Sequence, residues 1–547
     1  MFRAERQIPI PTKDLLSWTF DDPRFDRDEP IYIDANDTSR SISSNQARVL
    51  IRQLVAGFHA AGLKKGDCVC LHSFNDIYYP IIFLGIIAAG GIFAGTNPSY
   101  TQFELEHHIK TARTTFLITE PGIMLENALS AAKTCGIPES KVWVFDVLGD
   151  PVRQGFRSWK ELLDHGEKDW VRFDDEKTAK ETTAARLFSS GTTGLPKAAV
   201  LSHYNFIAQH TLVHEINRKS WRPVRLLCLP MFHAACVPVA HTTPLRAGHP
   251  SVIMRRFELE PLLANIEKFQ INEIGFVPPI IIAIIMSGLA SKYSLKSIRS
   301  VSCGAAPLGK DSQDRMRDLL APGTLVNQVW GMTETSCIAS MFYFPEDDVT
   351  GSVGRMIPGL DVKIIDDNDK EITAYDVRGE LCVRGPTIVA GYFENPKANS
   401  EAFDSEGFFK TGDIVYCDSK TKKWYVVDRK KELIKVRGFQ VAPPELEAVL
   451  LSHPHIIDAA VIGIKHPTEA DVELPRAYVV RRDSADGKAL GEADVKKHCG
   501  ERLARYKELT GGVKFVDAIP KNASGKILKR VLREMAKEEA DQAKARL

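Results

Sequence analysis

A run of glycine, hydroxyl and lysine side chains at residues 189–197 has the clearest capacity for chemistry. It reads Ser189-Ser190-Gly191-Thr192-Thr193-Gly194-Leu195-Pro196-Lys197. Glycines let a backbone approach its ligand closely, hydroxyl and N–H groups surround phosphate oxygens, and a lysine adds charge. A Walker A loop is excluded, because that motif needs GxxxxGK[ST] and here a proline precedes the lysine. Composition alone would make this run a surface turn, whereas its order favours a phosphate-binding loop of another kind.

Seven further motifs follow this loop along the chain. They are Pro230-Met231-Phe232-His233, Ser302-Cys303-Gly304-Ala305-Ala306-Pro307-Leu308, Gln328-Val329-Trp330-Gly331-Met332-Thr333-Glu334-Thr335, Gly379-Glu380-Leu381 with Arg384-Gly385, Thr411-Gly412-Asp413, Asp428-Arg429-Lys430-Lys431-Glu432-Leu433-Ile434-Lys435 and Pro520-Lys521-Asn522-Ala523-Ser524-Gly525-Lys526. The series resembles the acyl-adenylate-forming superfamily, and most of all its acyl-CoA synthetase and 4-coumarate–CoA ligase-like branch. The resemblance spans residues from about 30 to about 535. It implies an ATP-dependent acid–CoA ligase that forms acyl-AMP and pyrophosphate, then acyl-CoA and AMP.

The resemblance also implies a nucleotide site. Its residues are Ser189, Ser190, Gly191, Thr192, Thr193, Lys197, Gln328, Trp330, Gly331, Thr333, Asp413, Arg429 and Lys526. The loop and Lys197 would hold the β- and γ-phosphates, Thr333 the α-phosphate, and Trp330 would stack on adenine. Asp413 and Arg429 would bind the ribose, since two adjacent hydroxyls suit the two oxygens of a carboxylate. Glu334 would hold Mg²⁺, a cation that prefers oxygen ligands.

Catalysis must bring a carboxylate to the α-phosphorus of ATP, so the site has to supply positive charge and alignment to two anions. The resemblance implies this role for Lys526, together with Thr333 and Glu334, and a positioning role for His233. Lys435 would serve the thioester-forming step. Because Lys526 and Lys435 stand in different segments of one small domain, a rotation about a hinge near Lys431 is implied.

The acid and coenzyme A sites follow from the same resemblance. The acyl group would contact His233, Ala235, Gly304, Ala305, Ala306, Gly331 and Met341. Ala235 stands where 4-coumarate ligases often carry tyrosine, which favours an aryl or arylalkanoic acid or a medium-chain fatty acid over a phenolic one. Arg256, Arg437 and Gly438 match positions that contact coenzyme A. Relatives often have lysine where this chain has Arg437, and arginine keeps the charge and can bind phosphate bidentately.

Length and composition bound the class of protein. A chain of 547 residues exceeds what one hydrophobic core supports, so several domain-sized units are expected. Lys+Arg (71) and Asp+Glu (70) nearly cancel, so there is no overall charge that would attract nucleic acid. Ten cysteines without a CxxC pair favour a reducing, intracellular setting. The apolar stretches Pro80–Gly95 and Phe276–Ala290 are shorter than the ~20 residues of a membrane span and predict buried core.

Alternating helical and β-branched patterns predict an α/β fold with largely parallel sheets. The expected elements include helices at Asn45–Ala61, Ile77–Ala89 and Arg530–Arg546, and strands at Asp67–His72, Asp361–Ile365, Gly379–Arg384 and Lys423–Val427. We expect a large N-terminal AMP-binding domain over residues 1–428, with a β-rich subdomain at about 351–428. A small, mobile α+β C-terminal domain would occupy residues 429–547.

Two other functions remain open at this stage. One is a luciferase-like or carrier-loading adenylating enzyme, although no carrier domain follows Lys526. The other is a nucleotide-binding protein without catalysis, which the presence of both Lys526 and Lys435 disfavours.

The C-terminal tripeptide predicts a subcellular location. Ala545-Arg546-Leu547 resembles the Ser-Lys-Leu signal and predicts recognition by a peroxisomal import receptor. Residues Met1–Pro9 contain no apolar run, so no secretory signal is expected, and the alternative location is the cytoplasm.

Overall fold

The computed structural model describes residues 2, 4, 6–189, 196–436, 439–466, 473–503, 505–523 and 525–545, with the backbone alone for 439–440 and 541–545. Most of the predicted phosphate loop, residues 190–195, lies outside the described residues. So do two predicted coenzyme A contacts, Arg437 and Gly438, and the last two residues of the C-terminal signal, Arg546 and Leu547.

The strands of the described chain are numbered in chain order. They are β1 Pro30–Asp34, β2 Ser41–Ser43, β3 Cys68–His72, β4 Ile92–Thr96, β5 Thr114–Thr119, β6 Val142–Val144, β7 Arg157–Ser158, β8 Thr183–Ser189, β9 Lys197–Ser202, β10 Arg225–Leu227, β11 Ser251–Ile253, β12 Glu273–Phe276, β13 Ser300–Cys303, β14 Leu325–Gln328, β15 Trp330–Met332, β16 Cys337–Met341, β17 Arg355–Met356, β18 Asp361–Ile365, β19 Glu371–Ile372, β20 Gly379–Arg384, β21 Phe409–Cys417, β22 Trp424–Arg429, β23 Ile434–Val436, β24 Phe439–Val441, β25 Ile456–Lys465, β26 Glu473–Arg481 and β27 Val513–Phe515.

The α-helices are numbered in the same way. They are α1 Leu15–Phe20, α2 Ser44–Ala60, α3 Tyr79–Ala88, α4 Gln102–Ala112, α5 Ile123–Thr134, α6 Glu176–Glu181, α7 His203–His210, α8 Thr243–Ala247, α9 Leu259–Lys268, α10 Pro278–Ser287, α11 Lys310–Asp318, α12 Pro396–Ala402, α13 Pro443–Leu451, α14 Ala485–Ala489, α15 Glu492–Gly500 and α16 Lys529–Ala545.

Two seven-stranded sheets form the body of the molecule. One has the order β14-β13-β12-β10-β11-β1-β2 and the other β7-β6-β5-β3-β4-β8-β9. Neighbouring strands run parallel except at the β1–β2 and β8–β9 pairs. Central strands of parallel sheets are covered on both faces and read as continuous apolar runs, and β3 is buried at all five positions.

Local sequence accounts for the helices that flank these sheets. A capping box begins α2: the Ser43 hydroxyl accepts from the Gln46 N–H, and the Gln46 side chain accepts from the Ser43 N–H. Every residue of α3 is buried, which explains the first apolar stretch. The second apolar stretch contains α10, which begins at the Pro278-Pro279 pair. No described helix is long and apolar enough to cross a membrane.

The rest of the chain forms smaller sheets. An antiparallel sheet of five strands, in the order β19-β18-β20-β21-β22, lies in the segment at about 351–428 that is predicted to be β-rich. Beyond it, β25, β26 and β27 form a three-stranded sheet with α13, α15 and α16 nearby, and this part has apolar clusters of its own around Leu446 and Tyr478. The predicted fold class, a large α/β N-terminal part with a separate C-terminal domain, is confirmed.

Candidate active site

An apolar cavity lies at the carboxyl ends of β10, β12, β13 and β15. Its volume is about 220 Å³. Its walls include eight of the residues predicted to hold the acid or support catalysis: His233, Ala235, Gly304, Ala305, Gly331, Thr333, Glu334 and Lys526. Ligands of open α/β sheets bind at the carboxyl ends of the strands, because the loops that follow those ends splay apart and leave a crevice. The cavity is therefore a candidate site for the acid.

A larger cleft adjoins this cavity and extends toward the C-terminal domain. It has a volume of about 550 Å³, and its walls include Gln328, Trp330 and Asp413 from the predicted nucleotide site. The cavity and the cleft share five lining residues: Ala305, Val329, Gly331, Arg429 and Lys526. A carboxylate in the cavity and a nucleotide in the cleft would therefore meet beside Lys526.

Trp330, Asp413 and Arg429 contact one another in this cleft. The indole N–H of Trp330 donates a hydrogen bond of 2.8 Å to Asp413 Oδ2, and Arg429 Nε lies 3.4 Å from Asp413 Oδ1. Asp413 and Arg429 are also direct partners across β21 and β22. The carboxylate is thus fixed in place by two donors. Trp330 therefore has a second task besides the stacking that its position predicts, because it orients the acid predicted to bind ribose.

Glu334 lies in the turn that follows β15, and its side chain is buried. Its Oε1 accepts a hydrogen bond of 2.6 Å from the Tyr392 hydroxyl. Its Oε2 is buried and has no hydrogen-bond partner among the described residues. A buried carboxylate oxygen without a donor is costly, so this atom is suited to a cation. The Nζ atom of Lys197 lies 5.0 Å from the centre of the Tyr392 ring, which places the predicted phosphate-binding lysine beside Glu334.

The donor set fits Mg²⁺ that arrives with ATP. Groups of three or more metal-ligating side chains do not occur in the described part of the chain. Mg²⁺ usually keeps several waters and binds through one or two carboxylates together with substrate phosphates. A single unpaired oxygen of Glu334 matches that requirement.

Lys526 enters the site from the loop before α16. Its backbone N–H donates to Asn522 Oδ1 at 2.8 Å, which fixes the loop. Burial, and next the Arg429 cation, lower the pKa of Lys526 to about 8, although the carboxylates of Asp413, Glu432 and Glu334 act in the opposite direction. The structure therefore holds the predicted adenylation lysine at the junction of cavity and cleft.

His233 stands beside Lys526 at the mouth of the cavity. Burial, and next the Lys526 cation, lower the pKa of His233 to about 4. Its Nδ1 accepts a hydrogen bond of 3.2 Å from the Ala235 N–H. The ring is therefore neutral at physiological pH, a weak base with a fixed orientation, as the predicted positioning role requires.

Backbone geometry makes two small residues of this site necessary. A Cβ at Gly331 would lie 1.7 Å from the carbonyl oxygen of Cys337, so only glycine fits between β15 and β16. Ala305 has φ +70°, in the left-handed region that costs energy for a residue with a Cβ. Ala305 lies between cavity and cleft, where such strain is typical of a functional turn.

Other predicted residues lie away from this junction. Lys435 is exposed on β23, and neither the cavity nor the cleft includes it among its lining residues. Gln328 lines the cleft, but its side chain bonds both backbone groups of Leu308 and so holds the preceding loop. Ala306 lines the cleft rather than the acid cavity. Arg256 is exposed and borders a separate cavity of about 280 Å³, which the Asn522–Ala523 segment also lines.

The sequence motifs missed several residues that line the site or contact its side chains. Tyr392, the hydrogen-bond donor to Glu334, belongs to no motif, and only its place after Gly391 marks a turn. Cys337 and Ile338 follow the Thr333–Thr335 turn and line the acid cavity. Arg225 and Glu273 also line it, although they stand at the first positions of β10 and β12. The sequence does contain a signal for Arg225 and Glu273, because each is a charged residue in a short and otherwise apolar strand.

Comparison with known proteins shows to which family this chain belongs. Residues 21–393 match the AMP-binding enzyme family, and residues 445–526 match the AMP-binding enzyme C-terminal domain. The phenylacetyl-CoA ligase epaB of Aspergillus niger is 55% identical over 535 residues, which cover 97% of this chain and 98% of the relative. The acyl-CoA ligase azaF of Aspergillus niger is also 55% identical, over 97% of this chain and 100% of the relative.

A solved structure gives the same result. The ATP-bound crystal structure of MatB from Rhodopseudomonas palustris superposes with a TM-score of 0.82 at 26% identity, covering 95% of this chain and 98% of that chain. The chain belongs to the AMP-binding enzyme family, within the acyl-adenylate-forming superfamily. It is an acyl-CoA synthetase of the AMP-forming type, and the reaction class predicted from the sequence is confirmed.

Proposed function

We propose that the protein ligates an arylalkanoic acid of the phenylacetic type to coenzyme A, through an enzyme-bound acyl-adenylate. One observation carries this: Lys526, His233 and the Thr333–Glu334 turn converge where the acid cavity opens into the nucleotide cleft. The acid class is supported by the apolar walls of the cavity and by the name of the relative that acts on phenylacetate. ATP use is supported by the neighbour solved with ATP.

In the first half-reaction, a carboxylate oxygen of the acid attacks the α-phosphorus of ATP and pyrophosphate leaves. Lys526 would bridge the carboxylate and the phosphate oxygens, because its ammonium faces both compartments. Thr333 would contact the α-phosphate, while Asp413, held by Trp330 and Arg429, would orient the ribose. These groups bring two anions together and offset their repulsion with fixed charges, the usual source of large rate effects in such reactions.

Mg²⁺ would be held by Glu334 and the phosphates of ATP, and it would supply charge neutralisation there. Tyr392 would keep the carboxylate oriented through Oε1 and leave Oε2 for the ion. Chelation with EDTA should stop pyrophosphate release, and added Mg²⁺ should restore it. Full activity of the chelated enzyme with metal-free ATP would contradict the assignment.

In the second half-reaction, the thiol of coenzyme A attacks the acyl carbon and AMP leaves. The cavity beside Arg256 would admit the thiol, because it shares Cys228, Leu229 and Val277 with the acid cavity. Lys435 is exposed in the present arrangement. We infer that residues 429–547 rotate about a hinge near Lys431, which takes Lys526 out of the site and brings Lys435 in. Arg437 and Gly438 would then contact coenzyme A.

The proposed activity is tested with a pyrophosphate-release screen in the presence of ATP and coenzyme A. The acids should differ in length and aromaticity, and medium-chain fatty acids should be included beside phenylacetic acid. We expect the highest kcat/KM for an arylalkanoic acid, with thioester and AMP formed in equal amounts. A preference for octanoic or decanoic acid over every aryl acid would contradict the substrate class.

The size of residue 235 should control which acids fit. Ala235 is exposed to the cavity, so Ala235→Phe should lower kcat/KM for bulky aryl acids before small ones. Changes of one methylene in a pocket alter discrimination by roughly 10- to 200-fold, and a phenyl ring should act at the upper end. Ala235→Ser is the matched control, because it adds little volume. An unchanged acid profile in the phenylalanine variant would place residue 235 outside the acyl site.

The pKa of Lys526 gives adenylation a pH dependence. The lysine acts as a cation, and burial lowers its pKa to about 8, so kcat/KM should be flat below pH 8 and fall above it. This parameter reports ionisations of the free enzyme. In Lys526→Arg, whose side chain stays charged, the fall should move to higher pH. A fall at the same pH in both enzymes would assign the ionisation to another group.

The peroxisome is the proposed location, through Ala545-Arg546-Leu547. A fluorescent protein fused to the amino terminus leaves this tripeptide free and should collect in peroxisomes. Removal of the tripeptide should release the fusion to the cytosol. Diffuse fluorescence of the intact fusion would contradict the proposal.

A further inference from the structure

The acid cavity continues into a second chamber. This distal chamber has a volume of about 330 Å³, and its walls include Lys219, Trp221 and His249. The chamber and the acid cavity share six lining residues: His214, Arg225, Glu273, Ser302, Val329 and Ile338. Met341, predicted as an acyl contact, lines only the distal chamber of the two. The pocket is therefore longer than the part next to Lys526.

The parallel strands run from the distal chamber to the reaction centre. Alternate residues of a strand share a face, and Glu273, Gly275, Ser300 and Ser302 all face the pocket while Val301 and Cys303 pack in the core behind. Gly275 and Ser302 are adjacent across β12 and β13 and keep the passage open. At ~3.3 Å per residue, Glu273 stands about 13 Å before Val277, where the strand reaches the reaction centre.

Charged side chains cluster at the far end of this passage. Arg225 Nη2 donates to Glu273 Oε1 at 3.0 Å, and Lys219 Nζ lies 3.3 Å from Glu273 Oε2. Arg225 Nη1 lies 3.2 Å from His249 Nδ1. All three charged side chains are largely buried, with exposed fractions of 6% for Arg225 and 13% for each of the other two.

The cluster carries one positive charge in excess. Burial alone would raise the pKa of Glu273, but the Arg225 and Lys219 cations hold it at about 2, so the carboxylate is ionised. Burial, and next Arg225, lower the pKa of His249 to about 3, so this ring is neutral. Burial lowers the pKa of Lys219, while the Glu273 carboxylate beside it raises that pKa and favours the charged form. With Lys219 and Arg225 charged, two cations face one anion. Three further charged residues line the chamber: Arg218, Arg222 and Glu346. Arg222 is bonded to Glu29 at 2.6 Å, and Glu346 is paired with Arg355 at 2.5 Å.

One acceptor of the cluster has an ion pair but no directed hydrogen bond. Glu273 Oε2 is buried, and within the described ranges its ion-pair partner is Lys219 Nζ, 3.3 Å away, without hydrogen-bond geometry. A hydroxyl group placed there can donate to Glu273 Oε2 and accept from the Lys219 ammonium, which satisfies both. A methyl group would satisfy neither. A carboxylate would be attracted by the excess positive charge, but it cannot donate to Glu273 Oε2 and would face that carboxylate at close range.

We propose that the distal chamber recognises a hydroxyl group at the far end of the acid, with Lys219 and Glu273 as its specificity-determining residues. The preferred substrates are then hydroxyaryl-alkanoic acids rather than their unsubstituted parents. This inference rests on the proposed function and names the substrate class more narrowly. Ala235 lacks the hydroxyl that tyrosine would offer beside the acyl group, which by itself predicts a preference against phenolic acids. The inference departs from that prediction, because Lys219 and Glu273 would supply the polar partners in the distal chamber, and a small residue 235 lets the ring pass toward them.

The test compares matched acids with and without the terminal hydroxyl. Phenylacetic acid is paired with 4-hydroxyphenylacetic acid, and 3-phenylpropanoic acid with 3-(4-hydroxyphenyl)propanoic acid; 4-carboxyphenylacetic acid probes an anionic end. A hydrogen bond to a charged group is worth roughly 10- to 150-fold, so kcat/KM for pyrophosphate release should favour a hydroxylated member by about that factor. Equal or lower values for both hydroxylated acids would overturn the inference, and so would a preference for the carboxylated acid.

Two variants separate recognition from a structural effect. Lys219→Met should bring the ratio of kcat/KM for 4-hydroxyphenylacetic acid to that for phenylacetic acid down to about one, and exposed Lys296→Met should leave that ratio at the parent value. A Cβ at Gly275 meets no atom within 4 Å, so Gly275→Leu should fold normally and block the passage, with the longer hydroxylated acid losing most. An equal loss on all acids in both variants would contradict recognition in the chamber.

The outcomes also distinguish this inference from the proposed function. Turnover of phenylacetic acid without any gain from the hydroxyl overturns the distal site alone. If no acid of the panel releases pyrophosphate, the proposed function falls, and the inference that rests on it falls as well.

Discussion

Lys526→Ala should lower the rate of acyl-adenylate formation by about 10²- to 10³-fold, the usual cost of one preorganised charged contact. The reason is geometric, because Lys526 lines both the acid cavity and the nucleotide cleft. Pyrophosphate release in the absence of coenzyme A measures this step. The second half-reaction should be spared, so the variant should convert chemically supplied acyl-adenylate and coenzyme A into thioester at close to the parent rate.

Exposed Lys537 on α16 provides the control for this experiment, since Lys537→Ala removes a lysine from the same domain outside both compartments. It should leave both half-reactions unchanged. Equal losses of adenylation and thioester formation in Lys526→Ala would mean that the lysine supports the fold of the domain rather than one step.

Lys431→Pro should have the reverse effect: it should slow thioester formation and spare adenylation. Proline fixes φ near −65° and removes an N–H, so it should hinder rotation at the hinge. The Lys431 N–H donates no hydrogen bond to any described residue, so the present arrangement should tolerate proline. Adenylate should accumulate while thioester formation slows by at least about tenfold, as expected when a domain motion limits the rate. Single-turnover assays that follow pyrophosphate and thioester separately measure both.

Lys431→Ala is the matched control, because it removes the same charge and keeps the backbone free. It should retain coupled turnover. Slow thioester formation in both variants would assign the effect to the side chain, and unchanged kinetics in the proline variant would place the hinge elsewhere.

Much of the fold could be predicted because its elements depend on local patterns. The strand predicted at Asp361–Ile365 is present with those bounds, and the helix predicted over Ile77–Ala89 runs from Tyr79 to Ala88 because Pro80 sits in its first turn. The strand predicted at Lys423–Val427 extends to Arg429, since pairing with Asp413 on β21 continues it. Pairing partners distant in sequence are not visible in a local pattern.

The candidate site, too, could be predicted from the sequence only in part. Residues such as Trp330, Thr333 and Glu334 stand in one motif, so a resemblance was enough to name them. The hydrogen bond from Tyr392 to Glu334 joins residues 58 positions apart, and no motif includes the tyrosine. The distal chamber is assembled from Lys219, Glu273 and other residues of separate elements, whose side chains meet only after the sheet has formed.

In the proposed mechanism, the two half-reactions need different lysines in the site. Lys526 lies in the site and Lys435 lies on the surface, although the sequence predicts catalytic roles for both. The sequence contains the motifs for every step of the catalytic cycle, whereas one conformation brings together only the residues that act in one step. If Lys526, His233 and Glu334 have the proposed roles, the conformation in which they converge is the one suited to adenylation.

The central claim, acyl transfer through an acyl-adenylate, is tested most directly by following the oxygen of the acid. Phenylacetic acid labelled with ¹⁸O in its carboxyl group is incubated with ATP, Mg²⁺, coenzyme A and enzyme, and the nucleotide product is analysed by mass spectrometry. If a carboxylate oxygen attacks the α-phosphorus and the thiol then displaces AMP, each AMP carries one oxygen of the acid. We predict one ¹⁸O in AMP and none in pyrophosphate. ADP as product, with the label in inorganic phosphate, would contradict the account.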